Sequence, residues 1–367
     1  MRVYLLIMVL SAAVTYLTVP AVLHFALATG AISRVRGRDV HVVPIARFGG
    51  VAMFLGLLTA FLAAAHIPFL ADIFAAGSSA WGILYGAGLM CAVGALDDLW
   101  ELTWYAKLAG EVLAAGVMAW FGVQLLSLPL LGLTVGSQKL ALVGTVIVVV
   151  AVVNAVNFID GLDGLAAGVI GISALAFFVY TYFLIRESSP GDYASVASVA
   201  ASALVGMCAG FLPHNFHPAK IFMGDSGALT LGTIISGAAI VVTGQIDPAN
   251  LTADYAIPAV MPLLVPVLIL FIPLFDMTWA VVRRLARGQS PFAADAGHLH
   301  HRLLRRGHSH RKAVLILYLW AGVFSFTAVS FVIFPARYVV FPALAVLAAS
   351  LLVSMKALEV KNGVAGR

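Results

Sequence analysis

Four clusters of polar residues interrupt an otherwise apolar chain, and each carries groups able to do chemistry. Asp97 and Asp98 are adjacent carboxylates at the end of an apolar stretch. A helix C-terminus already disfavours negative charge, so a cation must compensate them. A second stretch runs out through Asn154-Ala155-Val156-Asn157-Phe158-Ile159-Asp160-Gly161-Leu162-Asp163-Gly164. Residues three apart are neighbours on a helix, which makes Asn154, Asn157 and Asp160 one polar strip, and the two glycines let the backbone turn or approach a ligand. A strip satisfied by neighbouring helices is the other reading, but ionisable groups at membrane depth are functional candidates by default.

The third cluster is His214-Asn215-Phe216-His217-Pro218-Ala219-Lys220-Ile221-Phe222-Met223-Gly224-Asp225-Ser226-Gly227. Ser226 is the expected cap of the helix beginning there, with freed N–H groups offering an anion site. Capping accounts for Ser226, but not for a carboxylate, two histidines and a lysine in the same segment. The fourth lies within residues 283–312, where His298-Leu299-His300-His301-Arg302 is followed by Arg305, Arg306, His308, His310, Arg311 and Lys312. Attraction to anionic headgroups would explain the arginines after 302. Zinc is disfavoured, because the two cysteines, Cys91 and Cys208, both lie inside apolar stretches where packing is their expected role. The acids offer hard oxygen ligands suited to magnesium or manganese, and the histidines read as phosphate donors. Carboxylates around a divalent cation, with cationic donors around a polyanion, are the equipment of phosphoryl transfer.

The elements that must position these groups are membrane helices. The 367 residues are 62% apolar and 10% charged, with a mean hydropathy of +1.04; soluble domains average about 45–50% and 25%. A water-soluble globule is excluded. One crossing takes about 20 apolar residues, and eleven stretches qualify, near 3–29, 48–70, 80–96, 106–128, 140–158, 164–186, 195–212, 226–245, 257–282, 313–334 and 338–355. The expectation is an all-α polytopic membrane protein with one integral-membrane domain over 1–367, a basic, histidine-rich cytoplasmic loop at 283–312 and a tail at 356–367. Alternating crossings put 17 of the 21 lysines and arginines on the side of the four clusters and 4 on the other. The positive-inside rule then places the N-terminus outside the cell membrane and the C-terminus in the cytoplasm. The first stretch exceeds the 7–15 apolar residues of a signal peptide and reads as a retained span. Gly82 and Gly86 mark either a close helix contact or chance, whereas Pro258, Pro262 and Pro266 share a helix face and should bend it. An ion-coupled carrier is a remote alternative, because carriers hold their site at the midplane between repeats and no repeat is visible.

GALDDLWELTWYAKLAGE, NAVNFIDGLDGLAAG, HNFHPAKIFMGDSGALTLG and PFAADAGHLHHRLL, with RFGG at 47–50, resemble the signature loops of the polyprenyl-phosphate N-acetylhexosamine-1-phosphate transferases, in the family's order and over nearly the whole chain. The resemblance implies transfer of N-acetylglucosamine-1-phosphate from UDP-N-acetylglucosamine to a polyprenyl phosphate, releasing UMP with magnesium or manganese as cofactor. The product would start a cell-envelope polymer such as lipopolysaccharide, teichoic acid or arabinogalactan. It further implies catalytic roles for Asp97, Asp98, Asp225, His300 and His301, and metal contacts from Asp225, Asn157 and Asp98. Lys107 resembles the diphosphate-binding lysine; Asn215, Phe222 and Asp163 resemble the uridine pocket; Asp160, Arg47 and Arg302 fall among the substrate-binding positions. HLHHRLL, preceded by Asp276, Arg283, Arg284, Pro291 and Asp295, matches the N-acetylglucosamine branch better than the muramoyl-pentapeptide branch, which remains the alternative. Ala46 departs from the proline that many relatives carry before the arginine. Direct transfer and a covalent aspartyl intermediate both fit these residues. A homodimer is expected, and no nucleic-acid partner.

Overall fold

The computed structural model describes residues 1–32, 45–75, 78–125, 127–130, 133–134, 137–188, 194–243, 256–290 and 297–355. It is an all-α bundle. The helices are α1 (Arg2–Thr29), α2 (Gly49–His66), α3 (Pro68–Ala75), α4 (Ser78–Trp100), α5 (Trp104–Trp120), α6 (Gln138–Ile159), α7 (Leu165–Ser188), α8 (Val196–Asn215), α9 (Gly224–Thr243), α10 (Ala256–Ile269), α11 (Phe271–Leu285), α12 (Leu299–Arg305), α13 (His310–Ile333) and α14 (Ala336–Met355). A two-stranded antiparallel hairpin, β1 (Ser127–Leu130) and β2 (Leu133–Thr134), separates α5 from α6.

Among the described residues nine helices are long and apolar enough to cross a membrane, and α10 with α11 forms a bent tenth. Each of the eleven expected stretches overlaps a helix, but α5, at 17 residues, is not among the nine to ten candidate spans of the described residues. Their ends differ from expectation in particular ways. The 48–70 stretch stops at His66 and continues as the separate α3. The proline-rich stretch breaks at Leu270, with α10 and α11 inclined at 74°, as Pro262 and Pro266 remove interior hydrogen bonds just before the break. The side chain of Pro258 lies outside the described residues. The 283–312 loop contains the short helix α12, and its Pro291 and Asp295, like the 356–367 tail, also lie outside them.

Helix α9 is the centre of the bundle, 94% buried, while α14 on the rim is 11% buried. Its composition permits that place. Gly, Ala and Ser let neighbouring backbones come close, and hydroxyls that would be costly in lipid bond back to their own helix, Thr230 to Ser226 O at 2.6 Å and Thr233 to Leu229 O at 2.7 Å. Helix α4 packs along one side of α9 and α6 along another, and α8 joins α9 to α1. The first segment is integral to the bundle: Tyr4, Ile7 and Ser11 are buried, and Ser11 Oγ donates to Ala203 O at 2.9 Å. Gly82 and Gly86 face α5, against Met118. Cys91 and Cys208 are buried free thiols, in keeping with a packing role.

Exposed aromatics mark the interface levels. Trp104 and Tyr105 open α5 at 60% and 61% exposure, and Trp120 closes it at 87%, about 24 Å further on at 1.5 Å per residue. Tryptophan and tyrosine settle at both headgroup levels of a bilayer. Asp97 and Lys107 flank the first of these levels.

Candidate active site

The polar clusters come together at the ends of α4, α5, α6 and α9. Asp97, in the last turn of α4, accepts the Leu102 N–H at 2.7 Å and the Lys107 ammonium at 3.2 Å. The same ammonium makes a short contact with Asp225, whose other oxygen accepts from the Asn157 amide at 2.7 Å. Lys107 is thus the cation that Asp97 required.

Asp98 is compensated differently. Its two oxygens accept the N–H groups of Asp225 at 3.0 Å and Ser226 at 3.1 Å, so the carboxylate of α4 caps α9 and fills the anion site at its N-terminus. The expected capping role of Ser226 is corrected: its hydroxyl donates back to Met223 O at 3.2 Å. Gly224 makes the cap sterically feasible. It holds φ +68°, and a Cβ there would fall on the Asp98 carboxylate. The RFGG segment locks onto the same turn, with Gly49 N bonded to Phe222 O at 3.0 Å, Gly50 N to Met223 O at 2.9 Å and Phe222 N to Ala46 O at 2.9 Å. Ala46 is buried, and Phe222 and Arg47 are half-buried beside it.

Beyond Asn157 the polar strip turns into a loop. Desolvation pushes the Asp160 carboxyl up to about 8, with the negative charges of Asp225 and Asp98 acting the same way and Arg47 opposing. Asp163 is buried and accepts from His217 Nδ1 at 2.7 Å and from Ala219 N at 3.1 Å. Asn215 staples this loop to the next, accepting Gly164 N at 3.0 Å and donating to Ile221 O at 2.9 Å. Tyr318 of α13 donates to Gly164 O.

The histidine motif docks on the same loop. Asp276 of α11 holds His298 Nδ1 at 2.8 Å and caps α12 through Leu299 N at 2.8 Å. The His300 ring lies against Gly161, where a Cβ would collide with it. Burial, then the neighbouring His301, hold the His300 imidazole down at about 3. It is therefore neutral at ordinary pH and offers one N–H rather than a positive charge. His301 is half-buried beside it, ring centroids 4.3 Å apart, and Arg302 is exposed. Arg284 lies over the Phe158 ring at 5.5 Å.

Two donor sets bear on a metal. Asp97 and Asp225 present hard carboxylate oxygens around a point that already holds an ammonium, which fits a magnesium-like cation; Asn157 stands beside them with its amide nitrogen on Asp225, and its oxygen would serve a cation with the amide turned over. Asp163, His217 and His310 form a second group whose ligand atoms lie within 4.8 Å of one another. The two imidazoles of that group are stacked at 4.2 Å and 18°, so their lone pairs lie in nearly parallel planes and do not converge on one ion. Glu111, which the sequence reading missed, is buried within electrostatic reach of Lys107, Asp97 and Asp225, and its spacing four residues after Lys107 was a readable signal of that place; the capping role of Asp276 and the contact of Tyr318 had none, since both depend on distant segments.

A polytopic bundle gathering carboxylates, a lysine and histidines at the headgroup level defines a membrane enzyme acting on a phosphorylated lipid-phase or interfacial substrate. Residues 80–243 match the family model described as glycosyl transferase family 4. The chain is 38% identical over 331 residues to the decaprenyl-phosphate N-acetylglucosaminephosphotransferase of Mycobacterium tuberculosis, covering 89% of this chain and 82% of that protein. Its counterpart of the same name in Mycolicibacterium smegmatis is 38% identical over 351 residues, covering 94% and 86%. A probable undecaprenyl-phosphate N-acetylglucosaminyl 1-phosphate transferase of Bacillus subtilis is 32% identical, covering 84% and 80%. This chain belongs to glycosyl transferase family 4.

Proposed function

We propose that the protein transfers N-acetylglucosamine-1-phosphate from UDP-N-acetylglucosamine to a polyprenyl phosphate, leaving a polyprenyl diphosphate sugar and UMP. The observation that carries this reading is the convergence of Asp97, Lys107, Asn157 and Asp225 at the headgroup level, where a lipid phosphate and a water-soluble nucleotide can both reach. Asp225, Asp97 and the Asn157 amide would hold magnesium or manganese, which when bound neutralises charge developing on the diphosphate oxygens. Lys107 supplies positive charge to the same phosphates. Asp98, with both oxygens on the backbone of α9, aims Asp225 and contributes to the metal through it. His300, His301 and Arg302 on α12 close over the sugar diphosphate, His300 as a neutral donor. Asp163, Phe222 and Arg47 line the nucleotide side with Asp160, and Asn215 holds the two loops that carry them. The clusters face the cytoplasm across the cell membrane, where nucleotide sugars are found, and the chain works as a homodimer.

The names of the relatives favour N-acetylglucosamine over the muramoyl-pentapeptide nucleotide. The test offers both radiolabelled donors, with polyprenyl phosphate and magnesium, to the purified protein. UMP release with UDP-N-acetylglucosamine, lowered at least about 1000-fold in Asp225→Ala, is expected, in line with losing a principal electrostatic group. Release from the pentapeptide donor alone would overturn the choice of substrate, and substrate movement across sealed vesicles without UMP would return the carrier reading.

A further inference from the structure

Helices α5 and α6 meet through two polar rungs, and only the first belongs to the site described above. In that rung Lys107 of α5 and Asn157 of α6 grip the two oxygens of Asp225 from opposite sides. One turn deeper, Glu111 of α5 accepts the Asn154 amide of α6 at 2.6 Å, and the same amide also donates to Val150 O at 2.9 Å. Glu111 is 1% exposed and within electrostatic reach of Lys107, Asp97 and Asp225. The spacings match: Lys107 and Glu111 are four apart on one helix, Asn154 and Asn157 three apart on the other, so each pair lies on one face.

A carboxylate this buried is expensive to keep, and in lipid it is retained only where it has a specific partner and task. Its partner here does not touch Asp225. What the second rung does is set the rotation and axial register of α5 against α6, and those two quantities decide whether Lys107 and Asn157 arrive on the same carboxylate. We infer that Glu111, acting through Asn154, is a positioning residue that aligns Lys107 and Asn157 on Asp225. The inference rests on the transferase reading for its kinetic test. Displacing a charged group by an ångström at a phosphoryl-transfer centre is enough to cost orders of magnitude in rate.

Glu111→Gln keeps an oxygen for the Asn154 amide, whereas Glu111→Ala and Asn154→Ala remove the rung. Expected are a kcat for UMP release within about threefold of the parent for Glu111→Gln and a loss of about 10- to 100-fold for each alanine variant, the range for stranding one buried hydrogen-bonding group. The double alanine variant should be no slower than the worse single one, because both act through the same bond. Val149→Ala, a cavity in the buried face of α6, should lower the melting temperature in detergent without lowering kcat. A second readout does not need turnover: the magnesium-induced rise in melting temperature should persist in Glu111→Gln and shrink in both alanine variants. The inference is overturned if Glu111→Gln is as slow as Glu111→Ala, if Asn154→Ala turns over normally, or if the double variant multiplies the single losses. A parent protein that shows the magnesium shift but releases no UMP would remove the transferase reading and leave the alignment standing; one that shows neither removes both.

Discussion

The same chemical type of residue does different work here according to what surrounds it. Asp97 and Asp98 are neighbours in sequence, yet one faces an ammonium and the other the backbone of a second helix. Successive helical residues point about 100° apart, so they meet different partners. The histidines diverge likewise: His298 is held by a carboxylate, whereas His300 is packed against Gly161 and kept neutral. Because its pKa in the fold, about 3, lies below the roughly 6.5 of an exposed imidazole, the unfolded chain binds more protons at this position between those values. Stability contributed by a neutral His300 is complete above pH 6.5 and lost as the pH falls towards 3. Asp160, raised to about 8, pulls stability the opposite way over the same range, so the His300 contribution is read as a difference: between pH 7 and pH 5 the melting temperature of the parent should fall relative to that of His300→Gln, as differential scanning fluorimetry in detergent can measure. Equal slopes for the two proteins would mean that His300 is solvated and cationic.

At the scale of elements, helix ends are the working parts. Helix α4 ends on the start of α9, α5 starts beside both, and α11 reaches across to begin α12. A seven-residue helix such as α12 is too short to persist on its own. Its order comes from the Asp276 cap and from the fit of His300 on Gly161. Asp276→Ala should release α12 while leaving the bundle intact. A lost cap is worth about 1 kcal/mol and up to about 2, so KM for the nucleotide sugar should rise roughly tenfold with little change in melting temperature. An unchanged KM would show that α12 does not cover the donor. The break between α10 and α11 has the same logic: two prolines end one helix so that the next, at 74°, can carry Asp276 to the site.

Across the whole molecule the clusters share one end of the bundle, which sets a topology that can be read by labelling. Lys220 is exposed in a motif loop at that end, and His66 is exposed where α2 finishes, at the other. A membrane-impermeant thiol reagent should modify Lys220→Cys in inside-out vesicles and His66→Cys in right-side-out vesicles; the native cysteines are buried. The reverse pattern would place the site outside. Composition and apolar run length were enough to establish a polytopic helical bundle, since the solvent that each stretch needs is written in its own residues. The motifs likewise named Asp97, Asn157, Lys107 and Asp225 as chemical groups. Pairings were not legible. That Asp98 caps α9 in place of Ser226, that Asn215 is consumed in stapling two loops, and that Glu111 stands under Lys107 opposite Asn154 all depend on the rotation of one helix against another. That rotation is set by close packing summed over many small contacts between segments more than 100 residues apart, and no local stretch of the chain contains it.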